Sequence, residues 1–566
     1  MKRARLGDYL LLAAILYILF AFILYPILQT LSESLRIATG FSLANYKSFL
    51  DPKNTANLEA LLNSVLLSVF SVLFSGILGT ALAYLINEFE FPMKSFLRRI
   101  AVLPIALPPL VGVVAFLFLY GESGILPRAL KELLGLQKPL FYLEGFAAIL
   151  VVHTYSFYVY FYLFVSSLMI RLDPSVTEAA VNLGSSRWRT LRKVILPLLK
   201  PALVGASLLT FMASMASFSA PFLFAGDKRF MTFQIYNAKL NGDLGLAAMH
   251  SVVLVVISVV FLLILRRYSG REIYSHATRG VSRALTQRVT KFSQGLAAGG
   301  AIIAVLFILL PVAAIFLVSF AKEGSWTYQL IPASYTLDNY FRLFTEENVF
   351  RPIGNSALMA SLATTANVAV GVALAFLITR RTFVPRGLGL GVEIISALPF
   401  AIPGTVIALS LILAFNHPAL LAARQVLVGT FWILPLAYFV RHLPLVVRAS
   451  AAGFQQFDRS LEEAAHNLGA GTWRVFWKIT FPSIFPSIVS GALLALIAGL
   501  GEFVSSILLY TYDNRPISVE ILAQLRLGNV GGAAVYGVLL LILVIGVTYV
   551  ANIWTGEKGQ GEVIVY

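Results

Sequence analysis

The sequence predicts an all-α membrane protein with about twelve transmembrane helices, arranged as two parallel six-helix repeats. Three observations predict this class: an apolar composition, a series of long apolar runs, and a segment that recurs along the chain. Of the 566 residues, 58% are hydrophobic and 12% are charged, and the mean hydropathy is +0.83. Soluble domains carry roughly 25% charged residues. The composition therefore excludes a soluble enzyme, a disordered scaffold and a fibrous protein.

The apolar runs are long enough to cross a bilayer, which takes about 20 residues in a helix. A β-barrel would alternate polar and apolar residues, and these runs are apolar on all sides. The first run follows Lys2, Arg3 and Arg5, but it is too long for a signal peptide and no small-x-small cleavage site follows it. The predicted spans are Tyr9–Leu31, Leu61–Ile86, Ile100–Tyr120, Phe146–Ile170, Ala202–Ala225, Ala247–Leu265, Leu296–Phe320, Ser356–Ile378, Leu388–Phe415, Val426–Val447, Ile488–Tyr510 and Ala533–Ile553.

The distribution of charge predicts the orientation of these spans. With the N-terminus inside, the inside segments hold 28 of the 43 Lys and Arg residues, including those of the segment Arg441–Lys478. Short cytoplasmic loops carry such an excess of basic residues. The bias accounts for the formal net charge of +16, so no nucleic-acid partner is needed. Both termini are expected in the cytoplasm.

The two halves of the chain match each other without a gap over one segment. Asp173–Pro201, here called loop A, matches Asp458–Pro486, called loop B, at an offset of 285 with 13 identities in 29 positions. Both halves hold six spans, so both copies start on the same side, as in a parallel repeat. Residues 1–265 are predicted to form the first repeat, 266–291 a cytoplasmic linker, and 292–566 the second repeat. Further pairs are Asn45-Tyr46 with Asn339-Tyr340, Asn63-Ser64 with Asn355-Ser356, and Leu103-Pro104…Pro108 with Leu398-Pro399…Pro403.

Loops A and B each predict a short helix, a break and a second short helix. Asp173 and Asp458 stand where a helix N-cap is wanted, and Glu-Ala-Ala favours a helix. Gly184 and Gly469 suit the left-handed residue that ends one. An amphipathic helix lying on the membrane is the alternative, but it would not require the same Glu-to-Gly and Gly-to-Pro spacings in both copies.

These loops resemble the EAA motif of permeases in binding-protein-dependent ABC importers. The resemblance implies a type I ABC importer permease fold, in which each motif forms a coupling helix that docks into a groove of an ATPase subunit. Because the chain carries two motifs, it is similar to the fused permeases of ferric-iron and thiamine importers. One departure is at the end of the motif, where the family often has Ile-x-Leu-Pro. This chain has Val194-Ile195-Leu196-Pro197 in loop A and Ile479-Thr480-Phe481-Pro482 in loop B. The implied docking residues are Glu178, Ala179, Ala180, Gly184, Glu463, Ala464, Ala465 and Gly469.

The resemblance also implies the partners. They are two copies of a cytoplasmic ABC ATPase, an extracytoplasmic substrate-binding protein and the lipid of a bacterial or archaeal plasma membrane. The chain has no Gly-x-x-x-x-Gly-Lys-Ser/Thr loop for ATP phosphates, and its six histidines form no catalytic pattern. Cysteine is absent, which excludes iron–sulfur clusters and thiolate zinc sites. The sequence therefore predicts a non-enzymatic subunit without a cofactor.

Glu502 is predicted to lie inside the eleventh span. A charge at mid-bilayer costs at least about 2.5 kcal/mol, so it should face protein or water. Ser217 is its counterpart at the offset of 285, and Phe218 pairs with Phe503. These four residues are candidates for a gate or a cargo contact. The alternatives are a buried hydrogen bond, or a carboxyl nearer the outer interface.

Two further patterns are less specific. His153 and the tyrosines of the fourth span have the chemistry to ligate a hard cation, although an aromatic belt or packing surface is the commoner use. Asp513-Asn514-Arg515 follows the eleventh span and is either a contact for a delivery protein or an ordinary turn.

The leading interpretation is the permease of an ATP-driven importer. The alternative is a secondary transporter, which would need coupling-ion carboxylates in the bundle; a channel would need a filter-like repeat. The cargo is not encoded in this chain. Ferric iron is the first expectation by resemblance, followed by thiamine, polyamines, phosphonates and oxyanions.

Overall fold

A computed structural model describes residues 6–37, 40–53, 55–268, 291–326, 329–380 and 384–554. In these residues nearly all the regular secondary structure is helical, as the sequence predicts. The predicted linker, 266–291, lies outside the described residues except at its two ends. The basic residues at positions 2–5 and Lys558, which entered the charge count, lie outside them as well. The described strands are β1 (Arg36–Ile37) and β2 (Gly40–Phe41), paired antiparallel with Arg36 opposite Phe41.

Sixteen helices precede the linker. They are α1 Leu6–Leu19, α2 Tyr25–Ser34, α3 Ala44–Phe49, α4 Thr55–Glu88, α5 Lys94–Ile100, α6 Leu103–Ala106, α7 Pro109–Tyr120, α8 Ile125–Leu133, α9 Gly145–Arg171, α10 Pro174–Asn182, α11 Arg187–Thr190, α12 Leu196–Leu198, α13 Lys200–Met215, α14 Ser219–Phe224, α15 Met231–Leu240 and α16 Leu244–Tyr268. π-helical turns at Phe20–Leu24 and Leu191–Ile195 join α1 to α2 and α11 to α12.

Twelve helices follow the linker. They are α17 Lys291–Ser319, α18 Asp338–Thr345, α19 Glu347–Arg380, α20 Arg386–Ala401, α21 Gly404–Phe415, α22 Ile433–Gln456, α23 Ser460–Asn467, α24 Thr472–Val475, α25 Phe481–Leu500, α26 Ser506–Leu509, α27 Ile517–Arg526 and α28 Val530–Trp554. A 3₁₀ turn spans Leu420–Ala422, and a π-helical turn at Phe476–Thr480 joins α24 to α25.

Nine helices in the described part of the chain are long and apolar enough to cross a membrane, or eleven if two bent pairs each count as one span. The third and ninth predicted spans are interrupted by prolines, which lack the N–H that a continuing helix needs. Between α20 and α21 the axis turns by 113°, just before Pro403. The second landmark proline of each repeat, Pro108 or Pro403, thus stands directly before the helix that follows the break.

The fifth and eleventh predicted spans are also interrupted, which corrects the expectation of continuous helices there. α13 ends at Met215 and α14 begins at Ser219, while α25 ends at Leu500 and α26 begins at Ser506. Apolar composition alone cannot reveal such a break, because the residues on both sides of it are equally apolar.

The described helices group into two compact units. One unit takes its described residues from 1–49, 235–252 and 336–560, and the other from 50–234 and 253–335. In the first of these, α2 packs against α21, and α19 packs against α22 and α25. In the second, α17 packs against α5 and α7, and α4 packs against α9 and α13. The helix that opens each predicted repeat therefore packs with helices of the other repeat.

The paired Asn-Ser landmarks make the same contact in each unit. Asn63 Nδ2 donates to the Arg229 carbonyl at 3.1 Å, and Ser64 Oγ accepts from Met231 N at 2.9 Å. In the other unit Asn355 and Ser356 make the matching bonds to Arg515 O at 3.1 Å and Ile517 N at 2.9 Å. Each pair satisfies backbone groups at the start of α15 or α27, where the first N–H groups of a helix lack partners within it.

Candidate functional site

Loops A and B begin with the same helix cap. Asp173 Oδ1 accepts from Ser175 N at 2.9 Å, and Asp458 Oδ1 accepts from Ser460 N at 2.9 Å. These backbone hydrogen bonds favour the ionised carboxylates and hold the pKa of Asp173 and of Asp458 below its ordinary value. The predicted capping hydrogen bonds are therefore present in both loops, with Arg459 standing between Asp458 and the first residue of α23.

The first helix of each loop ends in the same Schellman motif. Gly184 N donates to Val181 O at 2.9 Å and Ser185 N to Ala180 O at 3.0 Å. In loop B the matching bonds from Gly469 and Ala470 are 2.9 and 3.0 Å long. The glycines have φ of +78° and +85°, and a Cβ on either would meet nothing within 4 Å. The backbone conformation, and not crowding, is thus what favours glycine here.

Both loops present large apolar side chains on either side of this glycine, a leucine directly before it and a tryptophan four residues after it. Leu183 is 88% exposed and Leu468 is 89% exposed, while Trp188 and Trp473 are 67% and 74% exposed. Two tryptophans and two leucines so open to their surroundings are typical of an interaction surface. These four residues are not among the predicted docking residues, although two of them are tryptophans at matched positions.

The predicted docking residues divide by exposure. Glu178, Ala179, Glu463 and Ala464 are exposed, Ala180 is half-buried and Ala465 is buried. The second alanine of each motif therefore packs toward the protein, while the glutamate and first alanine remain free to contact another surface.

The breaks in the fifth and eleventh predicted spans are matched as well. At the first break, the carbonyl of Ser217 accepts from Thr232 Oγ1 at 2.7 Å. At the second, the carbonyl of Glu502 accepts from Ser518 Oγ at 2.8 Å and from Ser506 Oγ at 2.6 Å. Non-helical backbone at membrane depth is tolerated where protein groups satisfy it. Hydroxyls from α15 and α27 do so here.

Glu502 lies in a buried ionic cluster. Its side chain is 5% exposed, and Oε2 lies 3.1 Å from Arg441 Nε and 3.7 Å from His442 Nε2. Oε1 accepts from Arg441 Nη1 at 3.2 Å and from Ser505 N at 2.9 Å. The guanidinium thus engages both carboxylate oxygens, the geometry that best offsets the cost of burying two charges. The expectation that Glu502 faces protein is consistent with this placement.

Arg441 corrects the charge count, which assigned it to an inside loop. It lies within α22, on an apolar run, and a charge in such a run is itself a signal for a buried partner. Its guanidinium rests on the backbone of Gly404, at the start of α21. A Cβ there would overlap Arg441 Nη1 and lie 2.6 Å from Cζ. Glycine at 404 therefore makes room for the ion pair.

Ser217 occupies the corresponding place in the other unit, within a cluster of three serine hydroxyls and one imidazole. Its Oγ lies 2.9 Å from His153 Nε2, and His153 Nδ1 lies 3.0 Å from Ser71 Oγ and 3.1 Å from Ser214 Oγ. His153 is 1% exposed. Phe218 and Phe503, which follow the two break residues, are also buried, at 1% and 2%.

The remaining candidates engage protein groups. Tyr155 and Tyr158 donate to the carbonyls of Ile308 and Ala101, and the described residues contain no cluster of three or more His, Asp or Glu side chains able to hold a metal ion. Asp513 pairs with Arg351 at 3.2 Å, and Arg515 Nε lies 2.8 Å from Glu520 Oε2. These contacts favour packing for the tyrosines and a structured turn for residues 513–515.

Comparison with known proteins assigns a family to both halves. The family model for the binding-protein-dependent transport system inner membrane component matches residues 59–273 and 354–555. A probable ABC transporter permease of Sinorhizobium fredii is 29% identical over 91% of this chain and 90% of its own length. A ferric transport system permease of Actinobacillus pleuropneumoniae is 26% identical over 96% of this chain and 78% of its own.

Shorter relatives match a single half. A molybdate/tungstate transport system permease of Thermococcus kodakarensis is 27% identical over 45% of this chain and 92% of its own length. The full-length matches and this half-length match agree with the two copies detected by the family model.

Proposed function

Because the chain belongs to the family of inner membrane components of binding-protein-dependent transport systems, we propose that its two repeats form the whole translocation pathway of one importer. The chain is an ABC importer permease subunit in a fused two-repeat form. Relatives that match one half must supply a second copy to complete such a pathway, whereas this chain carries both copies of loop and helix break.

Each loop docks one ABC ATPase subunit. The observation that carries this assignment is the duplicated surface: a capped helix, a left-handed glycine, and exposed leucine and tryptophan at matched positions of loops A and B. One dock per loop gives two ATPase subunits per chain. ATP is hydrolysed by those partners, and this chain converts their movement into transport.

The loops face the cytoplasm, with both termini on the same side. The positive-inside bias supports this orientation. Because the chain contains no cysteine, single cysteines at Leu183 and at Leu136, which are both exposed, can be labelled in sealed right-side-out vesicles. A membrane-impermeant maleimide should label position 136 and spare position 183; the reverse pattern would refute the orientation.

The cargo is selected by an extracytoplasmic binding protein. Ferric iron is the first candidate, since a relative that matches 96% of this chain is a ferric transport permease, and thiamine, polyamines, phosphonates and oxyanions follow. The molybdate/tungstate relative keeps oxyanions among them. Binding assays on the partner protein decide the cargo.

Each helix break and the polar cluster beside it form a gating element within its own unit. Glu502 and Arg441 in one unit, and Ser217 and His153 in the other, place polar groups at matched breaks in otherwise apolar spans. Phe218 and Phe503 pack beside them. A polar cluster at an interrupted helix is a place where a small movement exposes or buries charge.

Uptake into proteoliposomes tests the function against the secondary transporter. We expect cargo uptake only when the ATPase, ATP and the binding protein are all present, and no loss of uptake when ionophores collapse ion gradients. Uptake driven by an ion gradient without the ATPase would overturn the proposal in favour of an ion-coupled transporter.

A further inference from the structure

A charged side chain is buried where α19 ends, beside loop B. The side chain of Arg380 is 6% exposed. Its Nη2 donates to the carbonyl of Phe454 at 3.0 Å, and the guanidinium lies 5.8 Å and 5.2 Å from the ring centroids of Phe454 and Phe457. Arg380 therefore connects the end of α19 to the end of α22 through a hydrogen bond and two cation–π contacts.

The same arginine reaches the helix of loop B through Glu462. Arg380 Nη1 lies 3.9 Å from Glu462 Oε2, and Glu462 Oε1 accepts from Thr480 Oγ1 at 2.7 Å. Glu462 is on α23, and Thr480 ends the π-helical turn that leads into α25. One carboxylate thus joins the loop helix to the ends of α19 and α22 and to the beginning of α25.

Glu462 and its neighbour Glu463 have different surroundings. Glu463, the glutamate of the EAA motif, is exposed. The side chain of Glu462 is 27% exposed and contacts Arg380 and Thr480. An exposed glutamate is available to an ATPase, while an inward one transmits the position of the helix to the spans.

The first repeat lacks these residue types at the matched positions. The loop offset of 285 places Thr177 opposite Glu462 and Ile195 opposite Thr480, and the offset of the Asn-Ser landmarks places Glu88 opposite Arg380. An arginine–glutamate–threonine link therefore cannot form in the same way from loop A.

We propose that Arg380, Glu462 and Thr480 form a positioning link through which loop B drives the spans, so that the two loops contribute unequally to coupling. This inference rests on the proposed docking of an ATPase at each loop. A movement of α23 is transmitted through these contacts to α19 and to the start of α25. α25 ends at the break that holds Glu502. The link thus connects the docking surface to the gate.

The test compares import per ATP hydrolysed in reconstituted complexes. Glu462→Gln and Arg380→Gln should each keep ATP hydrolysis and reduce import per ATP by about fivefold, the effect of a coupling change of about 1 kcal/mol. The double variant should be no worse than either single one. Reversing the pair, Arg380→Glu with Glu462→Arg, should restore part of the import. Thr177→Ser in loop A is the matched control and should leave the ratio unchanged.

Unchanged import per ATP in either single variant would overturn the link. Thr480→Val serves if the charge variants do not assemble, since it removes one hydrogen bond and keeps the ion pair; it should lower import per ATP by about twofold. An assembled Thr480→Val with a normal ratio, or loss of assembly in all three, would also overturn the link. Failure of the wild-type complex to import with ATP would instead refute the proposed function.

Discussion

Replacing Glu502 by Gln removes one charge from the buried cluster and keeps its shape. Gln can still accept from Ser505 N, but it cannot neutralise the guanidinium of Arg441, whose Nε and Nη1 now lie 3.1 and 3.2 Å from the carboxylate oxygens. The substitution therefore isolates the electrostatic part of the contact.

The expected loss of stability follows from burial. Removing one partner of a buried pair costs about 3–5 kcal/mol because the other charge is left uncompensated. Glu502 is 5% exposed but Arg441 is 25% exposed, so the guanidinium is only partly buried and the lower end, about 3 kcal/mol, applies. At about 2 °C per kcal/mol for a unit of this size, the melting temperature should fall by about 6 °C.

A double-mutant cycle measures the interaction itself. Glu502→Gln, Arg441→Gln and the double variant are purified in the same detergent, and thermal unfolding is followed for each. The double variant should recover at least about 1.5 kcal/mol of the summed losses. Ser217→Ala, at the corresponding break of the other unit, is the control and should lose about 1 kcal/mol. Additive losses within about 0.5 kcal/mol would refute the ion pair.

If the pair is also part of the gate, Glu502→Gln should import poorly even where it is folded; normal import would confine the pair to a structural role.

Three further predictions concern the loops and the space around Arg441. Gly184→Val should weaken ATPase binding because a left-handed backbone costs about 1–2 kcal/mol with a side chain, whereas Gly184→Asn should bind almost normally; equal binding by both would show that φ is not the constraint. Since the folded pKa of Asp173 and of Asp458 is lowered, their caps contribute fully above the ordinary pKa and are lost only as pH falls through the lowered value. Hydrogen exchange of α10 and α23 should therefore show constant protection from about pH 8 to pH 5, and a loss of protection within that window would contradict the assignment. Gly404→Ala should displace the guanidinium of Arg441 and lower the melting temperature about as much as Arg441→Gln; a wild-type melting temperature would contradict the packing described here.

The loops could be predicted almost completely from the sequence, because their constraints are local. A cap at Asp173, a helix-forming Glu-Ala-Ala and a glycine at 184 each act within one or two turns, and all three recur in loop B. Local chemistry repeated at a fixed offset specifies this backbone structure, whereas the exposure of individual side chains, such as the buried Ala465, depends on tertiary packing. The family resemblance then predicted the class of transporter that the comparisons confirm.

The helix breaks and the ionic cluster could not be predicted in the same way. A run that is apolar on all sides does not indicate which face meets protein, so Ala202–Ala225 and Ile488–Tyr510 read as continuous spans. The charge count assigned Arg441 to an inside segment, although the predicted span Val426–Val447 contains it. Its partner Glu502 is 61 positions away, and only tertiary packing brings the two together.

The packing partners of α2 and α17, the helices that open the two repeats, could not be predicted from the sequence for the same reason. The sequence repeats order the spans along the chain, but they do not say which spans pack together. α2 packs against α21, and α17 packs against α5 and α7, so each compact unit combines helices from both repeats. Contacts of this kind depend on the shapes of facing side chains and leave no periodic signal in the chain.

The subunit stoichiometry of the purified importer tests whether one copy of this chain forms the whole permease. Native mass spectrometry of the complex in detergent should show one copy of this chain with two ATPase subunits, since the chain offers loops A and B as two docking surfaces. A complex of two chains with two ATPase subunits, or of one chain with one, would contradict the account of a complete permease in a single polypeptide.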